Sequence, residues 1–352
     1  MKDVASMGER LGRFLATREE GRTAIVERYA PMTGGYSRLM AKADIRWDDG
    51  TVETLVLRGD PPAGESMLDT DRDVEWEVLQ GLTQLGTVPM PAARYYDATG
   101  EHLGTKCIVL DCTPGPSLQS ALEAADDILV HRNALIDGLA AVHAVPIDDL
   151  ASCLPRPASW DAYLDERIAL WAQTEGMLAE SNPIMRYVGA WLDAHRPPPM
   201  DLVLCHGDFQ SPNALIHPEA GLQLIDWEYA HIGDPREDLG WYLVVSEATP
   251  PSMYSPDPGA FLARYRERTG SDEVHVNEAT IGYFSMVAMV KIFAGIILGA
   301  SAMARGTNAS LLTTFNLNAI AIGHMNCLGA CGALAEPLAA LREMAQSLEV
   351  QR

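Results

Sequence analysis

The stretch Leu202-Val-Leu-Cys-His-Gly-Asp-Phe-Gln-Ser-Pro-Asn213, followed by Leu222-Gln-Leu-Ile-Asp-Trp-Glu228, decides how this chain is read. Each part opens with a short apolar run, enough for one strand, and ends on polar residues. The first run delivers His206, Gly207 and Asp208, with Asn213 five positions after the aspartate. The second delivers Asp226, Trp227 and Glu228. Asp and Asn favour turns between strands, so any one of them alone says little. Two strand-end acids with an amide between them, and a histidine two places before the first acid, say more.

Moving outward from that stretch, the N-terminal part alternates and the C-terminal part does not. Ala41-Lys-Ala-Asp-Ile-Arg-Trp47 and Thr51 to Arg58 flank Asp48-Asp49-Gly50, a strong hairpin signal. Asp60-Pro61-Pro62-Ala63-Gly64 breaks the chain, and Asp71 to Leu85 then has helical spacing, with Val74, Val78, Leu79 and Leu82 on one face. A second strand pair is expected around residues 92–97 and 106–112, before the break at Thr113-Pro114-Gly115-Pro116. From Ser117 onward helical patterns dominate, over 126–143, 160–178, 183–195 and from Asp257 to the end. The parse is a small sheet-rich lobe, a linker near residue 114 and a larger helical lobe, with a ligand cleft expected between lobes.

Composition removes several classes of function. The 352 residues are 47% hydrophobic and 21% charged, so a large core can be buried. A formal charge of −22 repels phosphate backbones and anionic lipid, and neither nucleic-acid binding nor a membrane contact is expected. The six cysteines show no C-x-x-C pair or metal spacing, which suits a reduced, cytoplasmic protein. Met1 to Gly21 is dense in charge and lacks the apolar core of a signal peptide. The run Ile281 to Met303 is long enough to span a bilayer, but Lys291 sits in its middle and a buried core helix is expected instead.

The segment His206–Asn213 together with Asp226 resembles the catalytic core of the aminoglycoside phosphotransferase family, itself built like the protein kinases. Its signature is H-x-D-x-x-x-x-N followed by a strand ending in Asp. The resemblance implies an α+β, protein-kinase-like bilobal fold. Residues 1–113 would form the N-terminal lobe, with an N-terminal helix, a glycine loop, an antiparallel sheet and one helix. Residues 114–352 would carry the catalytic loop, the metal site and the acceptor-binding helices. The implied reaction uses ATP and Mg²⁺ to phosphorylate a hydroxyl of a small molecule. Asp226 and Asn213 would supply the hard oxygen ligands that Mg²⁺ prefers, and Asp208 would orient the acceptor hydroxyl and take its proton. His206 is expected to orient backbone rather than to catalyse.

The resemblance extends to both sides of that core. Thr33-Gly34-Gly35-Tyr36-Ser37 looks like a shortened phosphate-covering loop, in which Gly34 and Gly35 admit the phosphates and Ser37 donates a hydrogen bond. Where the family carries a phosphate-binding lysine, this chain has Arg58, a bidentate and permanently charged substitute. Glu75 would pair with it, with Glu77 as the competing position. Backbone groups near Asp111 and Thr113 would bind the adenine edge. The run Glu228 to Trp241 resembles a branch whose members are fused to, or act beside, acyl-CoA dehydrogenases; there Asp234 and Asp238 are expected to cap and brace. Trp227-Glu228 replaces the Phe-Gly of protein kinases, so a flipping activation segment is not expected. The apolar helix around Lys291 points to a hydroxyacyl compound or its coenzyme A thioester as acceptor, with Lys291 or Arg305 meeting an anion. An antibiotic phosphotransferase and a non-catalytic nucleotide-binding protein are the alternatives.

Overall fold

The computed structural model describes residues 4–32, 39–60, 71–125, 127–150, 153–178, 180–248, 250–306 and 311–350. Two compact units result: Met1–Pro116 with Leu215–Tyr229, and Ser117–Ala214 with Ala230–Arg352.

The first unit is built on an antiparallel sheet. Its strands are β1 (Ala24–Pro31), β2 (Leu39–Trp47), β3 (Val52–Gly59), β4 (Ala93–Asp97) and β5 (Cys107–Asp111), in the order β1-β2-β3-β5-β4. The expected hairpin joins β2 to β3; Gly50 takes φ +85°, and the Asp49 carboxylate accepts from Thr51 N–H at 2.8 Å. Alternation puts Ala41, Ala43, Ile45 and Trp47 on one face, packed with Leu11, Phe14 and Leu15 of helix α1 (Val4–Ala16). Helix α2 (Arg72–Leu85) starts on the Asp71 side chain, which accepts from the N–H groups of Asp73 and Val74, and stops at Gly86 with φ +64°. Its buried face is Arg72, Glu75, Val78, Leu79 and Leu82, while Val74 is only half-buried. Three of the four residues expected on the apolar face are thus buried, and Arg72 and Glu75 join them as an ion pair.

Strands β7 (Ala214–His217) and β8 (Gly221–Leu224) pair with each other. Backbone bonds fasten them to the first unit, from Ile216 N–H to the Pro116 carbonyl at 3.0 Å and from Leu224 N–H to the Pro89 carbonyl at 2.7 Å. Gly115, at φ +126°, makes the first possible: a Cβ there would lie 2.0 Å from the Ile216 oxygen.

The second unit is mainly helical. It contains α3 (Leu118–Ala124), α4 (Leu129–His143), α5 (Trp160–Glu175), α6 (Pro183–Ala194), α7 (Arg236–Ala248), α8 (Pro258–Thr269), α9 (Glu278–Ala304) and α10 (Leu311–Val350). A two-stranded ladder joins β6 (Val203–Cys205) to β9 (His231–Gly233). Helix α9 is long and apolar enough to cross a membrane, and 56% of its most apolar stretch is buried in this unit. Tyr283, Phe284, Val287, Val290, Phe293 and Ile297 from it share a core with Trp171 and Trp191 of α5 and α6. Helices α7 and α9 touch so closely that a Cβ on Gly240 would lie 2.5 Å from the Phe284 carbonyl carbon. Burial pushes the Cys107 thiol up to about 12.

Candidate active site

In the second unit, β6 hands the chain directly to the loop His206–Asn213. The loop is anchored from below by Asp238, which is fully buried on α7. Its carboxylate accepts from His206 N–H at 2.7 Å and from Gly207 N–H at 2.8 Å, and His143 Nε2 lies 3.1 Å away. Burial works against ionisation of Asp238, but the His143 hydrogen bond, His206 and the Gly207 amide hold its carboxyl below the ordinary value. Gly207 takes φ +80°, which turns two successive amides onto one carboxylate. Asp234 accepts from Arg236 N–H at 2.9 Å at the start of α7 and from Trp160 Nε1 at 2.6 Å.

Asp208 leaves this anchored backbone half-buried. Its Oδ1 accepts from Trp241 Nε1 and from Gln210 Nε2, each at 2.8 Å, and its Oδ2 accepts from Asn213 Nδ2 at 2.6 Å. The Asn213 amide nitrogen also donates to the Asp208 carbonyl at 3.0 Å, within a 3-10 turn over Ser211–Asn213. His206 is buried beneath, and its Nδ1 accepts from Asp208 N–H at 3.3 Å. Neither Trp241 nor Gln210 stood out in the sequence as a partner of Asp208. A tryptophan 33 positions away carries no local signal of that kind.

In the first unit, Asp226 follows β8 and adopts φ +71°, which no other described non-glycine residue shares in sign. Its Oδ1 accepts from Arg58 Nη2 at 2.6 Å. The Arg58 side chain is only 7% exposed, and the same nitrogen lies 3.4 Å from Glu75 and 3.9 Å from Glu228. Burial disfavours the Arg58 charge, but Glu75, Asp226 and Glu228 more than offset this and raise its pKa above the ordinary arginine value. Glu75 has a second partner in Arg72, whose guanidinium also reaches Asp60 at 3.1 Å. Glu77, the competing position, is exposed. Arg72 is absent from the sequence-based site, since an arginine opening a helix reads as a solvated residue.

Arg58, Glu75 and Asp226 line a cavity of about 260 Å³ whose apolar wall includes Val56, Leu79 and Leu224. Leu110, Asp111 and Thr113 line it as well. The N–H of Asp111 is already given to the Ala92 carbonyl at 2.9 Å, and that of Cys112 to the Thr54 carbonyl at 3.2 Å. The Asp111 side chain faces Arg94 at 2.9 Å. Gly34, Gly35 and Ser37 lie outside the described residues.

Each unit, taken by itself, carries an oxygen donor of the kind that hard divalent cations prefer. Asp226 offers a carboxylate, and with its nitrogen turned to Asp208 the Asn213 amide oxygen accepts no hydrogen bond among the described residues.

The family model of the APH phosphotransferase enzyme family matches residues 30–276. Mouse acyl-CoA dehydrogenase family member 10 is 28% identical over 224 residues, 61% of this chain and 20% of that protein. A thiamine kinase of Shigella boydii is 40% identical over 80 residues, 21% of this chain and 28% of its own length. The chain thus spans less than a third of either relative. Among solved structures, a Ralstonia eutropha protein assigned to the aminoglycoside phosphotransferases matches with a TM-score of 0.71 at 18% identity, over 92% of this chain and 98% of that one. The fold is accordingly the α+β, protein-kinase-like fold of those enzymes. With the family model covering most of its length, the chain belongs to the APH family of phosphotransferase enzymes.

Proposed function

We propose that the protein transfers the terminal phosphoryl group of ATP to a hydroxyl of a small molecule. The observation that carries this reading is the buried Arg58 guanidinium, joined to Asp226 and Glu75 on the wall of an apolar cavity. A cation fixed beside an apolar pocket suits a purine attached to phosphates. Asp226 and Asn213 would hold Mg²⁺, which when bound offsets the phosphate charge. Arg58 would hold the phosphates, and Gly34, Gly35 and Ser37 would cover them. Backbone groups near Asp111 and Thr113 would receive the adenine edge. Asp208 would orient the acceptor: its proton passes to the carboxylate as the new oxygen–phosphorus bond forms, the bond to the bridging oxygen breaks, and ADP leaves.

For the acceptor we favour a hydroxyacyl compound or its coenzyme A thioester, supported by the similarity to a protein named as an acyl-CoA dehydrogenase family member. Lys291 gives this less support than its sequence position suggested, since its ammonium lies 2.6 Å from Glu237. The test is a turnover panel with ATP and Mg²⁺, reading ADP release against hydroxyacids, their thioesters, thiamine and aminoglycosides. Turnover of hydroxyacyl compounds that disappears in Asp208→Asn is expected. Efficient turnover of aminoglycosides alone would replace the acceptor, and binding of Mg·ATP without any transfer would favour the non-catalytic reading.

A further inference from the structure

We infer that Trp241 and Gln210 are positioning residues that occupy one oxygen of Asp208, leaving Oδ2 as the atom that takes the proton of the acceptor. The inference rests on the assignment of Asp208 as the proton acceptor and goes one step past it, to the atom and to what selects it.

A carboxylate offers about four lone-pair positions, two on each oxygen. At Asp208 both positions on Oδ1 are filled, by the Trp241 indole N–H and the Gln210 amide at 2.8 Å each. One position on Oδ2 is filled by Asn213 at 2.6 Å. Among the described residues, the fourth has no donor, and it lies on Oδ2. All three donors are neutral, so they fix the plane of the carboxylate without forming an ion pair that would cancel its charge. An indole N–H is donor only, and cannot itself act as the base.

The tryptophan sits on α7 next to a close helix contact. At its neighbour Gly240, helix α7 lies against α9, as a Cβ there would meet backbone of Phe284 and Ser285. The Lys291 ammonium sits 5.8 Å from the indole ring and is fixed by Glu237. Glu237 is buried on α7 and also engages Arg167 at 3.1 Å, His231 at 3.2 Å, and Tyr163. Residues from α5, β9 and α9 therefore converge on Glu237, and of these Lys291 lies beside the indole.

If Trp241 only packs, removing its N–H costs little turnover and any loss shows as stability. If it positions the base, the loss appears in kcat. The experiment compares wild type, Trp241→Phe, Gln210→Leu and Asp208→Asn with Mg·ATP and the best acceptor from the panel, recording kcat, both KM values and Tm. Trp241→Phe keeps a ring beside Lys291 and loses the donor; kcat is expected to fall roughly tenfold or more, with KM for Mg·ATP unchanged. Gln210→Leu is expected to lose less, about threefold, because the indole remains. Should Trp241→Phe fail to fold, Gln210→Leu decides alone. A kcat within about twofold of wild type in every folded donor variant, with Asp208→Asn inactive, overturns the inference and leaves the base in place. Wild-type turnover in Asp208→Asn instead removes the base, and the inference with it.

Discussion

Asp208 and Asp226 are both strand-end aspartates, yet their surroundings are opposite in kind. Asp208 is held by an indole and two amides, none of them charged. Asp226 is held by a buried guanidinium, on a backbone twisted into the left-handed region. Neutral donors orient a carboxylate while leaving its charge available to a proton. A cation compensates the charge until something better, such as a divalent ion with its phosphates, competes for it. The two environments match the two jobs proposed for them.

The largest effect should come from breaking the Asp208 side of the contrast. Asp208→Asn keeps the shape but removes the proton acceptor, and transfer should fall by about 10²- to 10⁴-fold. Next, Arg58→Met should strike at stability. It leaves Glu75, Asp226 and Glu228 near one another without their shared cation, and urea unfolding should show a loss of about 3–5 kcal/mol. A comparable destabilisation from removing the Gln210 donor would erase the distinction between the two sites.

Gly240→Ala should cost roughly 1–3 kcal/mol, because the new methyl meets backbone 2.5 Å away on α9. It should lower kcat through Trp241 and leave the thermal shift with Mg·ATP intact, which separates the two aspartates again. The gentlest break is acid. Asp238 has a folded pKa below its ordinary 3.8, so its contribution is complete above that value and lost as pH falls through the lower folded one. Acid unfolding curves of wild type and Asp238→Asn should therefore diverge above pH 4 and converge below it, whereas coincident curves throughout would discount the anchor.

The residues legible in the sequence were those whose role is set by neighbours along the chain. The run from Leu202 to Glu228 announces its strands, turns and acids within a short window, and the Asp-Gly hairpin before β3 does the same. What stayed hidden depends on partners far away. Arg72 looks like an exposed helix start until Glu75 and Asp60 close around it. Trp241 ends the run that begins at Glu228, and nothing near it in sequence reveals that its N–H meets Asp208. Lys291 looks like a lone cation in an apolar run because its carboxylate comes from another helix, at Glu237.

The left-handed backbone at Asp226 has a practical consequence for anyone who edits this protein. An aspartate held at φ +71° carries conformational strain, on the order of 1 kcal/mol or more, that a glycine in its place would not. Asp226→Gly would relieve that strain but take the 2.6 Å acceptor from the buried Arg58 guanidinium, so a library selected for thermal tolerance should keep the aspartate, as should one selected for turnover. Position 226 is thus where a search for robustness and a search for catalysis should keep the same strained residue.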